Sequence, residues 1–140
     1  MEKDNTPKQS GSIIFWAPEN KNSAFTVPAE GSGKQDAKTV TTDYSLIEMS
    51  DIPSASTISF YYVYPITGAV SYIVLLSTHN PTSLNRTEYS YLLNSYSPGD
   101  FINEALGLKM IDKMDGPSGG DDLPSLIHCV ISVSKSPPSE

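Results

Sequence analysis

The chain has 140 residues, enough for one domain with a sizeable core and too few for two comfortable ones. Only 18% of them are charged, and Ser, Thr, Pro, Asn and Tyr are plentiful, a composition that favours a β-rich domain over a helical bundle. A net charge of −7 with one arginine, Arg86, argues against a nucleic-acid ligand, whose phosphates require a basic stripe; one cysteine, Cys129, excludes an intrachain disulfide.

Residues 1–10 and 136–140 are polar and proline-containing, and read as tails around a single β-rich domain over 11–135. Met-Glu-Lys-Asp-Asn at the start lacks the basic-then-apolar pattern of a signal peptide, so the expected location is the cytosol or a particle assembled there. Ser12 to Ala17 is a short apolar run stopped by Pro18, and Ala24 to Val27 a second stopped by Pro28; both read as strands. Residues 29–38 read as a flexible loop. Lys38 to Met49 reads as a strand on the alternation Val40, Thr42, Tyr44, Leu46, against a helical turn at Leu46-Ile47-Glu48.

From Ile52 to Asn85 the chain carries no Asp, Glu, Lys or Arg for 34 residues. Within that stretch, 57–77 is the most apolar and β-prone segment. A membrane helix over 58–76 has the length, but Pro65 and Gly68 fall at its centre, where a proline costs about 3 kcal/mol. Pro65 to Gly68 instead marks a hairpin turn, with Gly68 free to take a positive φ. A three-residue loop, Ile66-Thr67-Gly68, pairs Tyr62 with Tyr72, Phe60 with Val74 and Ile58 with Leu76. That register predicts one buried cluster of Phe60, Tyr62, Tyr72 and Val74. It leaves Tyr61, Val63, Ile73 and Leu75 on the opposite face as a candidate interaction surface.

His79 to Ser83 reads as a turn. Arg86 to Tyr96 fits either a helix, through Tyr89, Leu92, Leu93 and Tyr96, or a strand, through Tyr89, Tyr91 and Leu93. Ser97-Pro98-Gly99-Asp100 resembles a helix start, and the spacing of Phe101, Ile102, Ala105, Leu106, Lys109 and Met110 predicts a helix over about 98–114. Residues 116–124 form an acidic, glycine-rich loop, and 125–134 a strand in which Ile127, Cys129, Ile131 and Val133 share a face.

No constellation of catalytic or ligating residues outweighs its structural reading. Cys129 sits in an apolar alternation with His128 on the other face, so core packing is expected over a thiol nucleophile, although His79 is a conceivable base. Gly116-Pro-Ser118-Gly-Gly only approximates a nucleophile elbow. Asp112, Asp115, Asp121 and Asp122 surround a glycine-rich loop but miss the EF-hand spacing, and one cysteine with two histidines makes no zinc site. Tyr44-Ser-Leu-Ile47 has the form of a tyrosine-based sorting signal, and Thr6, Ser97 and Ser136 precede prolines. No cofactor, metal site or membrane span is expected.

The expected fold is therefore a small β-sandwich or open barrel of five to seven strands with one packed helix. The expected function is non-enzymatic: a structural or interaction module of a larger assembly, such as a virus particle, that self-associates or docks on protein partners. The alternatives are a small monomeric effector or inhibitor that binds another protein, a small hydrolase using His79, and a membrane-associated protein.

Overall fold

The computed structural model describes residues 11–78, 82–103, 107–116 and 124–135. They form ten strands and one α-helix. In chain order these are β1 (Ser12–Trp16), β2 (Asn22–Thr26), β3 (Gln35–Thr41), β4 (Leu46–Ile52), β5 (Ser56–Val63), β6 (Val70–Ser77), β7 (Thr82–Glu88), α1 (Tyr89–Ser95), β8 (Phe101–Asn103), β9 (Leu108–Met114) and β10 (Leu126–Val133). All strand pairs are antiparallel. Four strands make one sheet, in the order β2-β1-β4-β7, and six make the other, in the order β3-β10-β5-β6-β9-β8.

The chain crosses between the sheets after β2, β3, β4, β6 and β7. The orders 2-1-4-7 and 3-10-5-6 are those of a double Greek-key, or jelly-roll, sandwich, except that the first strand fills the slot that the last normally takes. The hairpin β8–β9 is added beyond β6. β1 starts opposite Ser50 and β10 ends opposite Ser56, so both lie at the end of the sandwich crossed by the β4–β5 connection.

One hydrophobic cluster fills the space between the sheets. Ile13 and Phe15 of β1 and Ile47 and Met49 of β4 face Ile58 and Phe60 of β5, Ile73 and Leu75 of β6, and Ile127, Cys129 and Ile131 of β10, all fully or almost fully buried. Each of the Ile, Leu, Phe and Met side chains contributes roughly 1.5–3 kcal/mol on burial. Phe15 meets Phe60 across the layers edge-to-face, with ring centroids 6.1 Å apart, a geometry that adds about 0.5–1.5 kcal/mol.

The β-sandwich with one helix is as the composition and patterning predict, but it has more strands than expected and its helix lies elsewhere. Residues 101–103 and 108–114 are strands, and 104–106 lie outside the described residues. Ser97-Pro98-Gly99-Asp100 satisfies a second reading equally well: proline then glycine is also the signature of a type II turn. Gly99 takes φ 100°, Asp100 N–H donates to the Ser97 carbonyl at 2.9 Å, and Met110 N–H donates to the Asp100 carbonyl at 2.9 Å, starting the β8–β9 ladder. The helix is instead the ambiguous segment at 89–95. Tyr89 and Leu92 are buried at helical spacing, with Leu93 and Tyr96 packed beside them. The strand expected across 38–49 is two strands in different sheets, joined by a 3-10 turn at Thr42–Tyr44.

The hairpin exists, in a different register. Val63 pairs with Val70, Tyr61 with Tyr72 and Ile58 with Leu75, one residue from the predicted alignment. Tyr64 N–H donates to the Ala69 carbonyl and Gly68 N–H donates to the Tyr64 carbonyl, both at 2.9 Å. The loop is therefore the four residues Pro65–Gly68, with Gly68 at φ 75°. One extra loop residue shifts the whole β6 ladder and reverses its faces.

Candidate interaction surface

The reversal divides the four predicted surface residues. Ile73 and Leu75 are 0% exposed in the core, while Tyr61 and Val63 lie on the outer face of the six-stranded sheet. Tyr72 and Val74, predicted in the core, join them outside. The buried partners of Phe60 and Tyr62 on β6 are Ile73 and Ser71.

The strand registers order the outer face of β10, β5 and β6 into four rows of three: Leu126-Val63-Val70, His128-Tyr61-Tyr72, Val130-Ser59-Val74 and Ser132-Thr57-Leu76. None of these residues is Asp, Glu, Lys or Arg. Ten of the twelve side chains are half-buried by their neighbours; Leu126, 40% exposed, and Ser132 are the exposed ones at the margin. Tyr61 and Tyr72 pack obliquely, ring centroids 5.7 Å apart. His128 Nδ1 lies 2.8 Å from Thr39 Oγ1 of β3, a polar tether to the neighbouring strand.

Among the described residues, charge returns at the rim. β9 contributes Lys109, Asp112 and the exposed Met114 opposite β6. The carboxylate of Asp112 accepts a long hydrogen bond of 3.4 Å from the Tyr72 hydroxyl, and its negative charge raises the tyrosine's pKa. α1 does not cover this face. It packs on the core side, where Tyr89 stacks on Tyr62 with centroids 3.6 Å apart and its hydroxyl lies 2.9 Å from Ser71 Oγ.

A second feature, not foreseen in the sequence, sits on the outer face of the four-stranded sheet. The single Trp16 donates its indole N–H to Glu48 Oε1 at 2.7 Å, and the guanidinium of Arg86 lies 3.4 Å from the Trp16 ring centroid and 3.5 Å from the same carboxylate. The three come from β1, β4 and β7, and the register shift between the pairs Ile47–Thr87 and Met49–Leu84 sets Asn85 and Arg86 opposite Glu48. Beside them the β1–β2 turn and the Asp43–Tyr44 segment frame an open depression of about 290 Å³. Glu19 and Asn20 hold that turn with positive φ, at 66° and 60°.

The reactive candidates separate. Cys129 is buried, and burial pushes its thiol pKa far above the usual range, as a core cysteine should behave. His128 points to the opposite face, and His79 lies outside the described residues. Asp112 and Asp115 are exposed, and Asp121 and Asp122 lie outside the described residues. Among the described residues no group of three or more His, Cys, Asp or Glu is placed to hold a metal ion, and no helix is long and apolar enough to cross a membrane. In Tyr44-Ser-Leu-Ile47 the isoleucine of the sorting pattern is a core residue with no exposed surface. Comparison with protein-family models, curated proteins and solved structures finds no match.

Proposed function

We propose that the chain is a non-enzymatic structural module that associates with copies of itself, through the outer face of its six-stranded sheet, to build a larger assembly. The observation that carries this reading is the row pattern on β10, β5 and β6: four rows of three outward side chains, none of them acidic, Lys or Arg. On a wet sheet, strands alternate apolar-in and polar-out. Here the outward positions hold Leu126, Val63, Val70, Tyr61, Tyr72, Val130, Val74 and Leu76, enough to form an apolar patch of the kind that marks interaction sites.

A second copy is the occupant that the charges favour. A net charge of −7 opposes association at long range and salt screens it beyond about 8 Å, so an uncharged face is the surface on which contact adds no like-charge pair. Two such faces meet without burying an unpaired ion, whereas a basic partner finds no acidic residue to pair with at the centre. The uncharged rows span three strands about 4.8 Å apart and four rows about 6.8 Å apart, a flat area of about 390 Å²; an interface of ~800 Å² per partner therefore also draws in the flanking positions of β3 and β9 at its rim.

Light scattering of the native chain and of the Tyr61→Lys, Val74→Lys double variant tests this reading. Both positions point outward, so the variant is expected to stay folded while losing the face-to-face contact. A double variant with the same mass-against-concentration curve as the native chain would refute it.

A further inference from the structure

We infer that β2 is a second self-association element, pairing antiparallel with β2 of another copy about a two-fold axis at Ala24, so that two four-stranded sheets join into one. β2 is an edge strand, and among the described residues no strand lies on its free side. Its hydrogen-bond phase is fixed by the ends of the β1–β2 pair. Val27 N–H donates to the Gly11 carbonyl at 3.0 Å, and Ala17 N–H donates to the Lys21 carbonyl at 2.8 Å. By antiparallel alternation, the backbone groups of Ser23 and Phe25 point towards β1, and those of Asn22, Ala24 and Thr26 point away from it. These three residues are also the exposed ones of the strand.

Protein edges normally carry devices that stop such pairing: charges, proline, bulges or extreme shortness. The other three edges have them. β3 carries Asp36 and Lys38, β7 carries Arg86 and Glu88 and two register shifts against β4, and β8 is three residues long. β2, Asn-Ser-Ala-Phe-Thr, has no charge and no proline, and pairs with β1 without a register shift.

The outward phase is self-complementary. Ala24 opposite Ala24 of the second copy, flanked by Asn22 opposite Thr26 on each side, makes three hydrogen-bonded pairs with two N–H to carbonyl bonds in each. The side chains at these pairs are small or polar and uncharged, so they neither clash nor repel. This contact uses the four-stranded sheet and is independent of the face proposed above. Two such isologous contacts on one chain generate closed tetramers or extended arrays.

The test uses the Tyr61→Lys, Val74→Lys variant, in which the face contact is removed, and amide hydrogen exchange read residue by residue. In that background Asn22, Ala24 and Thr26 are expected to become protected as concentration rises, with the mass approaching that of two chains. Adding Ala24→Pro should return the protein to one chain with its fold intact, because that N–H points away from β1 and an edge strand tolerates proline there. A Ser23→Pro control, which breaks a bond to β1, should destabilise β2 itself. Exchange at Asn22, Ala24 and Thr26 that is fast at every concentration, or a dimer that survives Ala24→Pro, overturns the inference. Either result leaves the face contact standing or falling on its own double-lysine test.

Discussion

Tyr62, Tyr89 and Cys129 show how the core sets the chemistry of single side chains. Burial is the first cause raising the pKa of each, and Tyr62 is raised further by the nearby Tyr89 and Glu88. The native chain therefore holds these three protons at pH values where the unfolded chain, with phenols near about 10 and a thiol near about 8.5, releases them. The unfolded state then binds fewer protons, so stability falls as pH rises. Thermal melts should be constant from neutral pH to about 8 and then decline, most steeply above about pH 10. Phenolate absorbance should report these two tyrosines ionising only with unfolding. A midpoint unchanged between pH 8 and 11, or rapid native labelling of Cys129, would contradict their placement. The Trp16–Glu48–Arg86 cluster is a different kind of residue-scale device, since Arg86 is 46% exposed and its pairing with Glu48 is screened by solvent.

The hairpin β5–β6 carries the sharpest element-scale contrast, because neighbouring residues on one strand have opposite fates. Ile73 faces Phe60 inside the sandwich and is 0% exposed, while Val74 lies outside, opposite Ser59 and Asp112. Ile73→Lys buries an unpaired charge at a cost of several kcal/mol, a large part of a domain's whole stability. Val74→Lys places the same group in solvent beside a carboxylate and, at a dilution where the native chain is a monomer, should leave the melting midpoint within a few degrees. The reverse outcome would restore the register read from the sequence. That register failed for a definable reason. β6 reads Val-Ser-Tyr-Ile-Val-Leu-Leu-Ser, apolar on both faces, so patterning places its faces no better one way than the other, and the loop length decides. β10 was legible because its inward set, Ile127, Cys129, Ile131 and Val133, is unbroken by a polar residue, whereas the outward set is interrupted by His128 and Ser132. Residues 98–114 misled because a proline-glycine turn and a helix start share their residues, and Gly107, at φ 70°, sits where the apolar spacing seemed continuous. The helix at 89–95 has no capping side chain to announce it. Half of the candidate surface, Tyr61 and Val63, was legible, and the other half followed the register.

At the scale of the molecule, two sheets of unequal width enclose one core and leave contrasting outer surfaces. The four-stranded sheet carries the ion-paired tryptophan cluster and an unprotected edge, and the six-stranded sheet carries uncharged rows bounded by the charges of β9. A jelly-roll order by itself names no activity, because the architecture serves many unrelated functions. The proposal rests instead on the chemistry of the wide face. Hydroxyl-radical footprinting over a dilution series tests it most directly, with Tyr61 and Tyr72 as reporters and Tyr91, 56% exposed on α1, as the reference. With association through that face, labelling of Tyr61 and Tyr72 falls as concentration rises while Tyr91 stays constant. Labelling of all three that is independent of concentration would contradict the proposed contact.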